Sequence, residues 1–181
     1  MLRLCSSSQT RALLLKNASI EFIQESVDFD EDSLKANSPK NFVYLATLGK
    51  YEANLKAFGF EDYPLLVADT VVTAKNKILR KAKCVDDARN ILYTQSGDIT
   101  SIITCMIYQS KHKKIIDISK TDYIFHKFDE GKLDKYLDSG IWQGKAGACM
   151  VEGFCKEYIK EVRGFESTAM GLNTNLLKAL I

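Results

Sequence analysis

Asp69 is the single ionisable side chain in the run Leu65-Leu66-Val67-Ala68-Asp69-Thr70-Val71-Val72. So much Val and Leu predicts a strand buried on both faces, where an unpaired carboxylate is costly. Asp69 therefore needs a partner. On pattern alone two roles stand open. It could be an Asp at a strand end that caps the next turn, or a carboxylate at the mouth of a cleft that binds a metal or activates water.

Other segments could supply the rest of such a site. Ser6-Ser7-Ser8-Gln9-Thr10 precede the helical run Arg11-Ala12-Leu13-Leu14-Leu15-Lys16. Hydroxyls, backbone N–H groups and the positive end of a helix dipole would converge there, with Arg11 in the first turn, and such a turn suits an anion. Simple helix capping explains the same residues. Asp30 and Glu31 belong to an acidic cluster with Asp28 and Asp32. A loop could present them to a cation shared with Asp69, although a solvated acidic loop is the plainer reading. Lys50 and Lys81 are point charges able to reach phosphate oxygens. Gly144 to Gly153 alternates glycine with small and apolar residues and holds Glu152. Backbone could approach a ligand closely there, but the spacing matches neither a P-loop nor a dinucleotide fingerprint. His112 and His126 lack a nearby Ser or Cys motif of the triad kind, no Cys/His spacing fits zinc, and Trp142 reads as a packing residue.

The elements that must position these residues alternate in type. Leu2 to Cys5 predict a strand and Arg11 to Lys16 a helix. Ile20 to Val27 predict a second strand, and Ser38-Pro39 open a long helix reaching Phe58. The Asp69 strand follows, then a turn at Asn76 and a short helix over Val85 to Tyr93. Strands over Ile99 to Gln109 and Ile115 to His126 flank the basic turn Lys111-His112-Lys113-Lys114, the pattern of a hairpin. Asp129 to Leu137 predict another helix. An α/β fold with a mixed sheet accounts for this order.

Composition bounds the partners. The chain has 181 residues, 46% of them hydrophobic and 27% charged, which predicts one domain or two closely joined lobes with a substantial core. Lys and Arg total 25 against 23 for Asp and Glu, so the net charge of +2 gives no case for nucleic acid. No apolar stretch is long enough to span a bilayer, and Met1-Leu2-Arg3-Leu4-Cys5 is too short for a signal-peptide core. Cys5, Cys84, Cys105, Cys149 and Cys155 form no CxxC pair. They predict reduced, structural thiols in a cytoplasmic protein.

Taken in order, these segments resemble the Maf family, the septum-formation-inhibitor-like nucleoside triphosphate pyrophosphatases. The family's S-x-S-P-R-R appears as Ser6-Ser7-Ser8-Gln9-Thr10-Arg11, its A-D-T-V-V as Ala68 to Val72, its K-A-G-A-Y as Lys145 to Cys149, and its G-L-P as Gly171-Leu172-Asn173. The resemblance covers essentially the whole chain, so residues 1–181 are expected to form one Maf-like domain. It implies an elongated mixed sheet with flanking helices and a central cleft between two lobes, similar to inosine triphosphate pyrophosphatases. It also implies hydrolysis of a nucleoside triphosphate to the monophosphate and pyrophosphate with a divalent cation, Mg²⁺ or Mn²⁺. Carried over residue by residue, Asp69 matches the proton acceptor, and Glu31 or Asp30, with Asp69, the metal-holding acids. Ser8, Arg11, Lys50 and Lys81 match phosphate contacts, while Thr10, Thr70 and Glu152 match positions linked to base choice. The resemblance also allows a homodimer.

Two departures bear on the substrate. Gln9-Thr10 replace Pro-Arg and remove a cation from the first motif, and Glu152 stands where the pyrimidine-preferring branch commonly has Gln. A carboxylate offers only acceptors, which suits a guanine-type base as in the 7-methyl-GTP branch. Ala68-Asp69-Thr70 instead follows the dTTP and UTP branch. A different class of role, a non-enzymatic nucleotide-binding regulator of septum formation acting through a protein partner, is the alternative. The convergence of Asp69, Lys50 and Lys81 with an anion-binding turn favours the enzyme.

Overall fold

The computed structural model describes residues 1–181 except Asp32 and Met150. Asp32 of the acidic cluster and Met150 of the glycine-rich segment thus lie outside the described residues. The elements run β1 (Leu2–Leu4), α1 (Gln9–Asn17), β2 (Phe22–Gln24), α2 (Pro39–Phe58), β3 (Leu65–Ala74), β4 (Lys77–Ile78) and α3 (Val85–Gln95). After them come β5 (Ile99–Gln109), β6 (Lys114–Phe125), α4 (Glu130–Asp138), a 3-10 turn (Phe154–Tyr158), β7 (Ile159–Arg163), α5 (Glu166–Ala169) and α6 (Thr174–Leu180).

The strands form one seven-stranded mixed sheet in the order β2-β1-β3-β5-β6-β7, with β4 on β3. β1 pairs in parallel with β2 and β3, setting Leu2 opposite Phe22 and Leu4 opposite Leu66. β3 and β4, and β6 and β7, pair antiparallel. The turn between β3 and β4 is tight. Lys75 and Asn76 both take positive φ, 49° and 59°, the twist that a two-residue hairpin requires. Ser110 N–H donates to Lys113 O at 2.9 Å and closes the turn from β5 to β6.

Two helix starts follow from local chemistry. Ser38 Oγ accepts from Asn41 N–H ahead of Pro39 at the first helical position of α2, and Ser8 Oγ accepts from Arg11 N–H at the start of α1. Each such cap stabilises its helix by about 1 kcal/mol.

Two compact units share the long strands. The first comprises Met1–Thr70, Ile103–Lys120 and Phe165–Ile181. Leu4, Leu15, Leu66, Met106, Leu172 and Leu177 pack its core, and a second cluster joins Tyr51, Leu65, Val67 and Ile107. The second unit comprises Val71–Ile102 and Thr121–Gly164. Aromatic rings dominate there: Phe128 lies 4.9 Å from Tyr158 between centroids, and Tyr136 stacks on Phe154 at 4.5 Å. Among the described residues no helix is long and apolar enough to cross a membrane.

The structure corrects two expectations. The second strand is only Phe22–Gln24, because its parallel partner β1 offers three residues and pairing ends with it. Two of the five cysteines are not reduced: Cys149 and Cys155 form a disulfide with Cα atoms 6.2 Å apart. The left-handed turn at Gly147 and Ala148, φ 70° and 50°, precedes Cys149. Trp142 is buried as expected, and its Nε1–H donates to Leu137 O at 2.9 Å.

Candidate active site

Burial of Asp69 in β3 demands a counter-charge, and α2 supplies it. Asp69 is 7% exposed, and Lys50 Nζ donates to its Oδ1 at 2.6 Å. The same ammonium lies 2.5 Å from Glu31 Oε1. One cation thus joins two carboxylates carried by a strand and a loop, and offsets the cost of burying Asp69.

The loop after β2 reaches this point because α2 holds it at three places. Val27 N–H donates to Asn54 Oδ1 at 3.0 Å, while Asn54 Nδ2 donates to Lys50 O at 2.7 Å. The far end of the Phe29 ring packs against Gly49, where an added Cβ would come within 2.2 Å of it. Glu31 then meets Lys50. A glycine in mid-helix weakens the helix by about 1 kcal/mol relative to alanine, and here it makes room for the ring that carries the acidic loop.

The serine turn lines the same cavity as Glu31 and Lys50. Ser6 Oγ accepts from Ser8 N–H at 3.2 Å and from Arg11 NH1 at 3.0 Å, and Gln24 Nε2 donates to Ser6 O at 2.7 Å. Arg11 also donates from Nε to Gly171 O at 3.0 Å and from NH2 to Thr70 Oγ1 at 3.1 Å. Gly171, at φ 107°, lets the guanidinium come close, since a Cβ there would stand 3.2 Å from Arg11 Nε. Burial pushes the Arg11 guanidinium below its ordinary pKa, and the charges of Asp69 and Glu31 pull it back up.

Ser6, Ser7, Ser8, Arg11, Glu31 and Lys50 together line a cavity of about 260 Å³. A larger cavity, about 540 Å³, is lined by Leu2, Ile20, Pro64 and Tyr108 elsewhere on the same unit. Chemistry separates the two: the smaller one gathers hydroxyls, a helix N-terminus and cations, the groups that recognise a polyanion.

The remaining expected residues are distributed as follows. Thr10 is exposed in the first turn of α1, and Asp30 is exposed in the acidic loop. Lys81 and Glu152 belong to the second unit. Lys81 pairs by a backbone bridge with Ala146, and Gly147 N–H donates to Arg80 O at 3.1 Å, so the glycine-rich segment is tied to the segment after β4 that carries Lys81. Glu152 is exposed within the turn enclosed by the Cys149–Cys155 disulfide. Among the described residues no group of three or more His, Cys, Asp or Glu side chains forms a metal cage.

Sequence reasoning missed Asn54 and Thr104. Asn54 stands four residues after Lys50 on the buried stripe of α2, and Thr104 is a hydroxyl inside the apolar run of β5. Both are polar groups where only apolar ones belong, the same signal that singles out Asp69. Gly49 and Phe29 carried no comparable signal, because their contact joins distant elements.

Known proteins resemble this sequence along nearly its whole length. Residues 1–181 match the family model described as Maf-like protein. A relative from a Nitratiruptor species, named nucleoside triphosphate pyrophosphatase, is 56% identical over 179 residues, 98% of this chain and 96% of its own. Proteins of the same name occur in Campylobacter jejuni and Helicobacter pylori. One from C. jejuni is 40% identical over the full length of both chains. One from H. pylori is 41% identical over 97% of this chain and 92% of its own.

Proposed function

The chain belongs to the Maf family, and on that premise we propose that it is a nucleoside triphosphate pyrophosphatase, a hydrolase of acid anhydrides. One observation carries the reading: Lys50 joins Asp69 and Glu31 at a cavity walled by the serine turn and Arg11.

Asp69 is the general base. Its carboxylate takes a proton from a water molecule as the water oxygen bonds to the α-phosphorus of the substrate. The bond from that phosphorus to the bridging oxygen breaks, and the β- and γ-phosphates leave together as pyrophosphate. The opposing charges of Lys50 and Arg11, with the hydroxyls and N–H groups of the serine turn, hold the triphosphate and stabilise the charge that builds on the leaving group. Ser8 serves both as cap of α1 and as part of this cradle. Lys81 as a phosphate contact, and Thr10, Thr70 and Glu152 as contacts linked to the base, follow from the family resemblance.

The donor set fits a magnesium-type ion, which takes one or two protein carboxylates together with substrate phosphates. Glu31 and Asp69 would hold it, with Asp30 as the further acid the resemblance names, and when bound it would shield the phosphate charge. Incubating the protein with a nucleotide panel and Mg²⁺ or Mn²⁺ tests the proposal. Monophosphate and pyrophosphate in equal amounts are expected. Orthophosphate as the released product, or no product from any nucleotide, would overturn it.

A further inference from the structure

Thr104 sits in β5, is 1% exposed and is not among the residues that line the cavity. Its hydroxyl nevertheless ends a chain of hydrogen bonds that begins at Arg11. Thr104 Oγ1 donates to Thr168 O at 2.7 Å. A threonine hydroxyl carries one proton, so at its second contact, Thr70 Oγ1 at 3.0 Å, Thr104 accepts and Thr70 donates. Thr70 has then given up its own proton, and its remaining lone pairs accept from Arg11 NH2 at 3.1 Å. The direction of every link is fixed, from guanidinium to Thr70 to Thr104 to the Thr168 carbonyl.

A fixed direction has a consequence for Arg11. Thr70 faces the guanidinium only with lone pairs, and Ser6 Oγ and Gly171 O are acceptors on the other contacts. Three of its five N–H groups are thereby anchored, which leaves two for an incoming ligand. If Thr70 were free to rotate, its O–H could turn toward Arg11 and the anchor would become a repulsion.

We propose that Thr104 is a positioning residue for phosphate binding, acting through Thr70 to hold the Arg11 guanidinium with its free N–H groups toward the cavity. The proposal rests on the reading of Arg11 as a phosphate-binding cation. Thr104→Val keeps the shape and removes the hydroxyl, whereas Thr104→Ser keeps the hydroxyl.

Calorimetric binding of inorganic pyrophosphate gives a readout that does not depend on turnover. If the wild-type protein binds pyrophosphate yet hydrolyses no nucleotide, the enzymatic reading fails while this one is still tested. Thr104→Val should weaken pyrophosphate binding about tenfold and raise KM more than it lowers kcat. Thr104→Ser should stay within about twofold of wild type. In the background of Arg11→Lys, adding Thr104→Val should cost nothing further, because the chain then has no guanidinium to hold. Should the valine variant fail to fold, Thr70→Ala breaks the same chain one link nearer Arg11 at a partly exposed position and should weaken pyrophosphate binding alike. Unchanged pyrophosphate binding in Thr104→Val or Thr70→Ala, or additive losses with Arg11→Lys, would overturn the proposal.

Discussion

Lys50 decides how the site behaves at the scale of single residues, because a single ammonium bridges two acids brought from different elements. Asp69→Asn keeps an oxygen that can accept from Lys50 but loses the basic carboxylate. Turnover should therefore fall at least about a hundredfold, the usual scale for a lost general base, while the melting temperature stays near that of wild type. Steady-state kinetics and calorimetry on the same preparation check both halves, and wild-type turnover would make Asp69 structural. Glu152 poses the question of the base. Gln offers a donor and an acceptor to a uracil or thymine edge, where Glu offers acceptors alone. Glu152→Gln should raise the ratio of dTTP or UTP to 7-methyl-GTP hydrolysis about tenfold, or roughly 1.4 kcal/mol in transition-state binding. Measuring kcat/KM for the three nucleotides on both proteins decides it, and an unchanged ratio would mean that Glu152 does not read the base.

At the scale of elements, α2 works as a rail for the acidic loop. Gly49→Ala should gain helix propensity of about 1 kcal/mol, yet its Cβ meets the Phe29 ring at 2.2 Å. Overpacking of this kind typically costs about 1 to 3 kcal/mol, so the expected result is a lower melting temperature and a lower kcat/KM as Glu31 is drawn away from Lys50. Adding Phe29→Leu should recover the melting temperature, and a simple rise in stability on Gly49→Ala would show that the ring is not held there.

The rail itself was legible in the sequence. Ser38-Pro39 marks the start of α2 by capping chemistry confined to neighbouring residues, and the need of Asp69 for a partner follows from its apolar run. That Lys50 would be that partner was not legible. The pair spans 19 positions and depends on how helix packs on sheet, which no local pattern encodes. The length of β2 failed for the same reason: a strand ends where its neighbour ends, and β1 is short.

For the whole molecule, the buried thiols set a limit on the alkaline side. Burial pushes Cys5 from its ordinary 9.0 up to about 12 and Cys105 up to about 11. Above pH 9 the unfolded chain releases these protons while the folded one keeps them, so fewer protons are bound in the unfolded state and stability falls as pH rises. The slope should be about 1.4 kcal/mol per pH unit for each thiol, until Cys105 and then Cys5 ionise in the fold. Urea unfolding from pH 8 to pH 10.5, compared with a Cys5→Ala, Cys105→Ala variant, checks this, since the variant should show the shallower decline. Cys84, which is exposed, should react with thiol reagents well before either.

The bond between Cys149 and Cys155 reaches beyond stability, because Glu152 lies in the short ring that it closes. Cleaving that bond adds two hydrogen atoms and turns a ring into an open segment without changing a codon. Batches of one gene product purified with and without a thiol reductant would then be two chemical species, differing in the ring that holds Glu152. Where Glu152 reads the base as proposed, a substrate preference would belong to a stated oxidation state, and the composition of the storage buffer belongs in the same sentence as the kcat/KM.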